Sequence, residues 1–212
     1  MYLPVHCLGR VEVEDASVAA RVHERLRAMG GREAGVWGAT LAVLQGESKP
    51  GGPPTTQRYL RVTDDSLSDP LIMHSASRVP LVGQLETLQA FLQVGSKTLA
   101  ALKGKRWALV DAEEMDWEVG VATPVGAMSS RHVLFLSLQL SATRSRAAAP
   151  LWMFQKMCRE VLGAELAARV TFFPHQQHAA LSPLVASPMY NRAHLTLQYM
   201  AMLQTDLQGT KL

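Results

Sequence analysis

The sequence has few cysteines, few charged residues and few aromatic residues. Its 212 residues include two cysteines, Cys7 and Cys158, too few for a disulfide framework and without the spacing of metal ligands. We expect both to be small buried side chains in a reducing compartment. Charged residues make up 18% of the chain, below the roughly 25% of an average soluble domain. Charge therefore protects less of the surface than usual, as in proteins that belong to a complex.

Long apolar runs and charge clusters are also absent. No stretch approaches the roughly 18 apolar residues of a membrane helix, and residues 1–10 lack the basic start and apolar run of a signal peptide. The net charge is +3, and the basic residues are scattered, which argues against a dedicated nucleic-acid surface. We therefore expect a cytosolic or nuclear protein that binds neither a membrane nor a specific nucleic-acid sequence.

The motifs that usually carry chemistry are missing as well. Gly51-Gly52 is followed by two prolines, which lack the backbone N–H donors of a phosphate loop. No serine lies in a G-x-S-x-G elbow, and neither cysteine adjoins a plausible base. His175 and His178 form an HxxH without the glutamate of zinc proteases, and we interpret them as part of a solvated loop. The sequence predicts no catalytic, cofactor-binding or metal-binding residue.

Glu12 and Glu14 support the sharpest enzymatic alternative. On a strand, alternate residues point to one side, so the two carboxylates could begin a metal-binding strand of the tunnel-triphosphatase type. That pattern continues with a lysine, where this chain has Ala16 before a helix. The other strands show no alternation of Lys, Arg and Glu. Solvent-facing acids at a helix N-terminus are the interpretation we prefer.

What the sequence does contain is strand and helix periodicity, with 48% hydrophobic residues. Strands are predicted over 2–8, 36–44, 59–63, 70–74, 79–82, 97–103, 106–110, 117–123 and 132–140. Helices are predicted from Ser17 to Met29, over 84–93, from Pro150 to Leu162 and over 191–207. Gly104-Lys105 is assigned to a type II′ hairpin turn, and residues 45–56 and 171–187 to loops.

Many short strands joined by tight turns imply antiparallel pairing. Such a sheet must close or be covered to protect its edges. We therefore predict a single α+β domain over 1–212, an antiparallel β-barrel or strongly curled sheet flanked by about three or four helices. Within it, Trp37 is predicted to be a core anchor because it lies inside an apolar strand.

The strand over 132–140 provides the candidate partner-binding residues. Its leucines at 134, 136, 138 and 140 are assigned to the barrel interior. Val133 and Phe135 keep the opposite side apolar, whereas a solvent-facing side should be polar. Something must therefore cover Val133 and Phe135. The two alternatives are the chain's own helix over 150–162 and a partner subunit.

Four ordered segments resemble subunit 20 of the Mediator transcription coactivator complex, most closely its plant-type form. They are Glu33-Ala34-Gly35-Val36-Trp37-Gly38-Ala39-Thr40-Leu41 after the opening helix; Leu85-Glu86-Thr87-Leu88 with Asp116-Trp117-Glu118-Val119-Gly120-Val121; the strand over 132–140 with the helix to Leu162; and the tail His194-Leu195-Thr196-Leu197-Gln198-Tyr199-Met200-Ala201-Met202-Leu203. Two positions depart from the family's pattern. Gly120 stands where the family usually has a basic residue, and Ala122 stands where it often has glycine.

The resemblance implies a barrel flanked by helices and no enzymatic activity. It also implies a nuclear scaffold subunit of the Mediator head module that pairs with subunit 18, is attached through a helix of subunit 8, and contacts RNA polymerase II indirectly. Two other functions remain open from the residues. One is an unrelated protein-binding adaptor, and the other is a phosphate-directed enzyme of the tunnel-triphosphatase type.

Overall fold

The computed structural model describes residues 5–47, 56–65, 67, 70–74, 80–81, 96–125, 132–140, 151–173 and 190–204. The helix predicted over 84–93 and the histidines His175 and His178 lie outside these residues. So do most of the predicted loops over 45–56 and 171–187.

The described part of the chain contains nine strands and four helices. In chain order they are β1 (Val5–Val13), α1 (Ser17–Ala28), β2 (Arg32–Glu47), β3 (Thr56–Asp64), β4 (Leu71–His74), β5 (Pro80–Leu81), β6 (Ser96–Val110), β7 (Asp116–Pro124), β8 (His132–Leu140), α2 (Leu151–Leu162), α3 (Ala164–Ala168), β9 (Thr171–Phe173) and α4 (Arg192–Gln204). The predicted strand over 132–140 is confirmed with its bounds. Helix α3 and strand β9 were not predicted.

The strands form one antiparallel sheet in the order β5-β4-β3-β2-β6-β7-β8-β1-β9. Its two edge strands, β5 and β9, are short. Short edge strands are one way in which proteins prevent a sheet edge from pairing with a strand of another chain. The sheet is strongly curled, and α4 contacts strands near both of its ends, namely β1 and β9 on one side and β3, β4 and β5 on the other. The predicted α+β fold with a curled antiparallel sheet and flanking helices is thus confirmed. Among the described strands it is a half-barrel.

The convex face of the sheet packs against α1 and α2. Trp107 of β6 donates its indole N–H to His23 of α1 at 3.1 Å. Trp117 of β7 meets Phe154 of α2 edge to face, with ring centroids 5.7 Å apart. Aromatic pairs of this geometry contribute beyond the area that they bury. The two helices therefore cover the part of the convex face around β6 and β7.

The concave face packs against α4. Trp37 of β2 is 1% exposed and bonds to Tyr199 of α4, which confirms that it is a core residue. Next to it, Gly120 of β7 leaves room for the indole, because a Cβ there would lie 2.7 Å from the Trp37 ring. One of the two departures from the Mediator pattern thus makes space for the packing of Trp37.

The hairpin predicted at Gly104-Lys105 is wrong, because both residues lie inside the continuous strand β6. Gly104 pairs with Trp37 of β2 and Ala122 of β7. A Cβ at Gly104 would lie 1.9 Å from the carbonyl oxygen of Val121. The glycine permits a close approach of two backbones. From the sequence alone, a glycine in this role cannot be distinguished from a glycine in a turn.

Candidate functional site

Helix α4 is buried on nearly all sides inside the curl of the sheet. Leu195, Tyr199 and Met202 are each 0% exposed. Its polar residues His194, Thr196 and Gln198 are buried as well, so the helix belongs to the core on nearly all sides. It begins after Asn191, whose side-chain oxygen accepts the N–H of Ala193 at 2.9 Å. This bond caps one of the free donors of the first turn.

One group of polar side chains joins α4 to β2 and β3. The Tyr199 hydroxyl accepts the indole N–H of Trp37 at 3.2 Å and donates to the carboxylate of Asp64. Arg106 lies 3.8 Å from Asp64 and 3.8 Å from Glu118. We call Trp37, Asp64, Arg106, Glu118 and Tyr199 the Asp64 cluster. Burial, followed by the nearby Asp64 carboxylate, raises the pKa of Tyr199 well above its ordinary value, so its hydroxyl stays protonated and can donate.

A second group joins α4 to the other end of the sheet. The amide nitrogen of Gln198 donates to the backbone oxygens of His6 at 3.1 Å and Phe173 at 2.8 Å. The Tyr190 hydroxyl donates to the Gln198 side-chain oxygen. We call His6, Phe173, Tyr190 and Gln198 the Gln198 cluster. Burial lowers the pKa of His6 to about 4, with Asp64 opposing this shift and Arg106 adding to it, so the imidazole is neutral at neutral pH.

The two clusters together make α4 a bridge across the open side of the half-barrel. Tyr199 and Gln198 are neighbours in the chain, yet they bind opposite ends of the sheet. Buried polar groups of this kind are costly unless they are paired. The helix therefore supplies partners to the polar groups inside the sheet. In the part of the chain that the structure describes, no group of three or more His, Cys, Asp or Glu could hold a metal ion.

The candidate partner-binding residues Val133 and Phe135 are 2% and 1% exposed. Phe135 pairs with Ala122 and Arg10 in the sheet, and by strand alternation it shares the concave face with Gly120 and Trp37. The chain itself covers both residues. A partner could contact them only if the chain opened.

The predicted interior position of the leucines in β8 is wrong. Leu140 pairs with Trp117, whose ring meets Phe154 of α2, so the leucine side faces the convex layer. The prediction that the helix over 150–162 covers Val133 and Phe135 is wrong for the same reason. When both faces of a strand are buried, its sequence does not show which face lies on the concave side of the sheet.

Glu12 and Glu14 lie apart from both clusters. Glu12 belongs to β1 and not to a helix N-terminus, its side chain is 40% exposed, and it lies 3.8 Å from Arg10. Glu14 follows the strand and is exposed. By its pairing with Val133, Glu12 lies on the concave face of the sheet, but it does not belong to the Asp64 cluster, whose carboxylates are Asp64 and Glu118. Their sequence signal was weak, whereas Gln198 and Tyr199 could have been suspected as polar residues in a helix without a polar face.

The two cysteines are free and buried, as predicted. Burial raises the pKa of Cys7 to about 12, with a further contribution from Cys158, and burial raises the pKa of Cys158 to about 12. Both thiols are thus protonated and unreactive at neutral pH. Cys7 on β1 and Cys158 on α2 contribute small side chains to the core cluster.

The fold and these clusters define an α+β domain in which a curled antiparallel sheet encloses the helix α4. No protein-family profile matches the chain, and no curated protein shows a significant match to it. Among the described helices, none is both long and apolar enough to cross a membrane.

Proposed function

We propose that this chain is a non-enzymatic scaffold subunit of the Mediator head module, related to subunit 20. In this proposal it resides in the nucleus, pairs with subunit 18, is attached through a helix of subunit 8, and helps relay regulatory signals to RNA polymerase II. The proposal rests on the ordered segments described above. It is supported by a curled, helix-flanked sheet of the kind that the resemblance implies.

The observation that carries the non-enzymatic part is the position of α4. Three side chains of the Asp64 cluster could act on a phosphate, namely Asp64, Arg106 and Glu118. Arg106 pairs with both carboxylates, and Asp64 also accepts the Tyr199 hydroxyl. A hydrolase needs such groups directed at a substrate and not at its own helix. Their arrangement therefore favours structural stabilisation over catalysis.

The proposal is tested by co-expressing the full chain with subunits 18 and 8 of the same organism, followed by size-exclusion chromatography. We expect the three chains to elute together in equal amounts. The double variant Glu12→Ala, Glu14→Ala should elute in the same complex, because these acids lie outside both clusters. Separate elution of a folded chain would reject the Mediator assignment and leave the unrelated adaptor.

The enzymatic alternative has its own assay. The purified chain is incubated with a nucleoside triphosphate and Mg²⁺ or Mn²⁺, and phosphate release is measured. We expect release no faster than in the buffer control. Metal-dependent hydrolysis that is lost in Glu12→Ala would overturn the proposal and support the tunnel-triphosphatase alternative.

A further inference from the structure

A surface depression lies between α2 and the loop that joins β6 to β7. It is lined by Asp111, Glu113, Met115, Trp117, Trp152, Met153, Lys156, Met157 and Glu160. It is a shallow feature of the surface that is open to solvent and encloses no cavity. Small-molecule sites are concave and bury most of their ligand, so this surface suits contact with another protein better than the enclosure of a cofactor.

The floor and one wall of this depression are apolar. Trp117 and Met157 form a buried floor, being 3% and 2% exposed, whereas Trp152 is 58% exposed. Met115 and Met153 are half-buried between them. Methionine adapts to irregular partners, and tryptophan is the residue most enriched at interface hot spots. An exposed tryptophan beside such a floor is typical of a binding surface.

The rim of the depression is acidic. Asp111, Glu113 and Glu160 contribute three carboxylates, and Lys156 contributes one ammonium group, which donates to Glu113. This local excess of negative charge occurs on a chain with a net charge of +3. A partner that brings positive charge would therefore be attracted to this rim.

Two acidic groups of the rim, Asp111 and Glu113, are held by hydrogen bonds. Burial by itself would raise the pKa of Asp111. Hydrogen bonds outweigh this effect, so the pKa is lowered. The main donors are the backbone N–H of Met115 at 3.0 Å and the indole N–H of Trp117 at 2.9 Å. The pKa of Lys156 is raised, first by its bond to Glu113 and then by the charges of Glu113, Glu160 and Asp111. Lys156 thus lies within the acidic rim and pairs with Glu113.

We infer that this depression binds a protein segment in which one apolar or aromatic side chain is flanked by Lys or Arg. The apolar side chain would pack against Trp152 over the floor of Trp117 and Met157, and the basic side chains would pair with Glu113 and Glu160. This inference does not depend on the Mediator assignment, because it uses only the depression and its charges.

The test uses short random peptides displayed on phage and selected on the immobilised full chain. We expect the enriched peptides to share one large apolar residue next to Lys or Arg. A synthetic copy of such a peptide should protect Trp152 from acrylamide quenching. Because the other three tryptophans, at 37, 107 and 117, are at most 3% exposed, the quenching reports on Trp152.

Three variants assign the binding to this surface. Trp152→Ala should weaken the binding of the peptide by about thirtyfold or more, the loss expected at an interface hot spot. Glu160→Lys should also weaken peptide binding. Lys156→Gln should strengthen peptide binding by about two- to fivefold, the scale of an exposed charge pair. Val36→Ala, an exposed residue of β2 (56%), is the matched control and should leave the affinity unchanged. Circular dichroism establishes that each variant is folded.

Several results would overturn the inference. These are the enrichment of no peptide, a consensus without basic residues, and an affinity that Trp152→Ala leaves unchanged. Protection of Trp152 that rises with protein concentration alone would identify a second copy of the chain as the occupant, which also contradicts it.

Discussion

Trp37 on the second strand donates its indole N–H to the hydroxyl of Tyr199 on the last helix at 3.2 Å, across 162 positions of the chain. The same hydroxyl donates to Asp64. A single oxygen therefore joins β2, β3 and α4. Because these elements come from distant parts of the chain, the contact forms only when the sheet and its helix have assembled.

Removing this hydroxyl should destabilise the protein. In Tyr199→Phe the indole N–H loses its acceptor and Asp64 loses one bond in a buried place, which costs about 1–3 kcal/mol. Urea unfolding measures the change. The control is Glu33→Gln in the exposed pair with Lys105, where we expect a change within about 0.5 kcal/mol. A Tyr199→Phe protein as stable as the wild type would mean that α4 is not held through this oxygen.

Phe135→Asp should prevent the isolated chain from folding. The side chain is 1% exposed, and losing its buried ring costs about 3–5 kcal/mol, a large share of a domain's stability, even though Arg10 lies opposite the new carboxylate. Gel filtration and circular dichroism should show aggregation or unfolding. Phe135→Leu keeps the site apolar and serves as the control. A folded Phe135→Asp chain that fails to bind its partner would instead restore the interface interpretation.

His6 should make the protein less stable in mild acid. The pKa of His6 is lowered to about 4 in the folded state from 6.5, so the unfolded state binds a proton first as the pH falls. Stability is therefore full above pH 6.5 and is lost between about pH 6.5 and 4, by up to about 3 kcal/mol. Unfolding by urea at several pH values measures this loss.

The variant His6→Gln provides the comparison for the pH series. It should show a smaller loss of stability over the same pH range. The part that remains includes His23, whose pKa is also lowered, chiefly by burial. A wild-type protein with constant stability down to pH 4 would contradict the burial of His6 as a neutral group.

The thiols of Cys7 and Cys158 should react only after unfolding. With each pKa raised to about 12, the thiolate is a minute fraction at neutral pH, and burial blocks the reagent. Ellman's reagent should therefore label both thiols together, at the rate of unfolding, in urea. The matching sample without urea should stay unlabelled, and one rapidly labelled thiol in it would contradict the burial of that cysteine.

Local periodicity was enough to predict several elements. The alternation over 132–140 identified β8 and showed that both of its faces are covered, and the apolar surroundings of Trp37 predicted its burial. These properties depend on neighbours in the chain, which a sequence displays directly. The helix over 191–207 was predicted in the same way, and the structure describes it as Arg192–Gln204.

The sequence by itself thus determined the curled α+β sheet, its buried strands and the absence of a recognisable catalytic motif. Only the tertiary structure decided three further features. Gly104 continues a strand, and Asp64 meets Tyr199. In β8, Phe135 and not Leu136 lies on the same face of the sheet as Trp37. Each of these depends on which distant strand lies alongside. Pairing energies summed over the whole sheet settle that choice, and no local pattern records it.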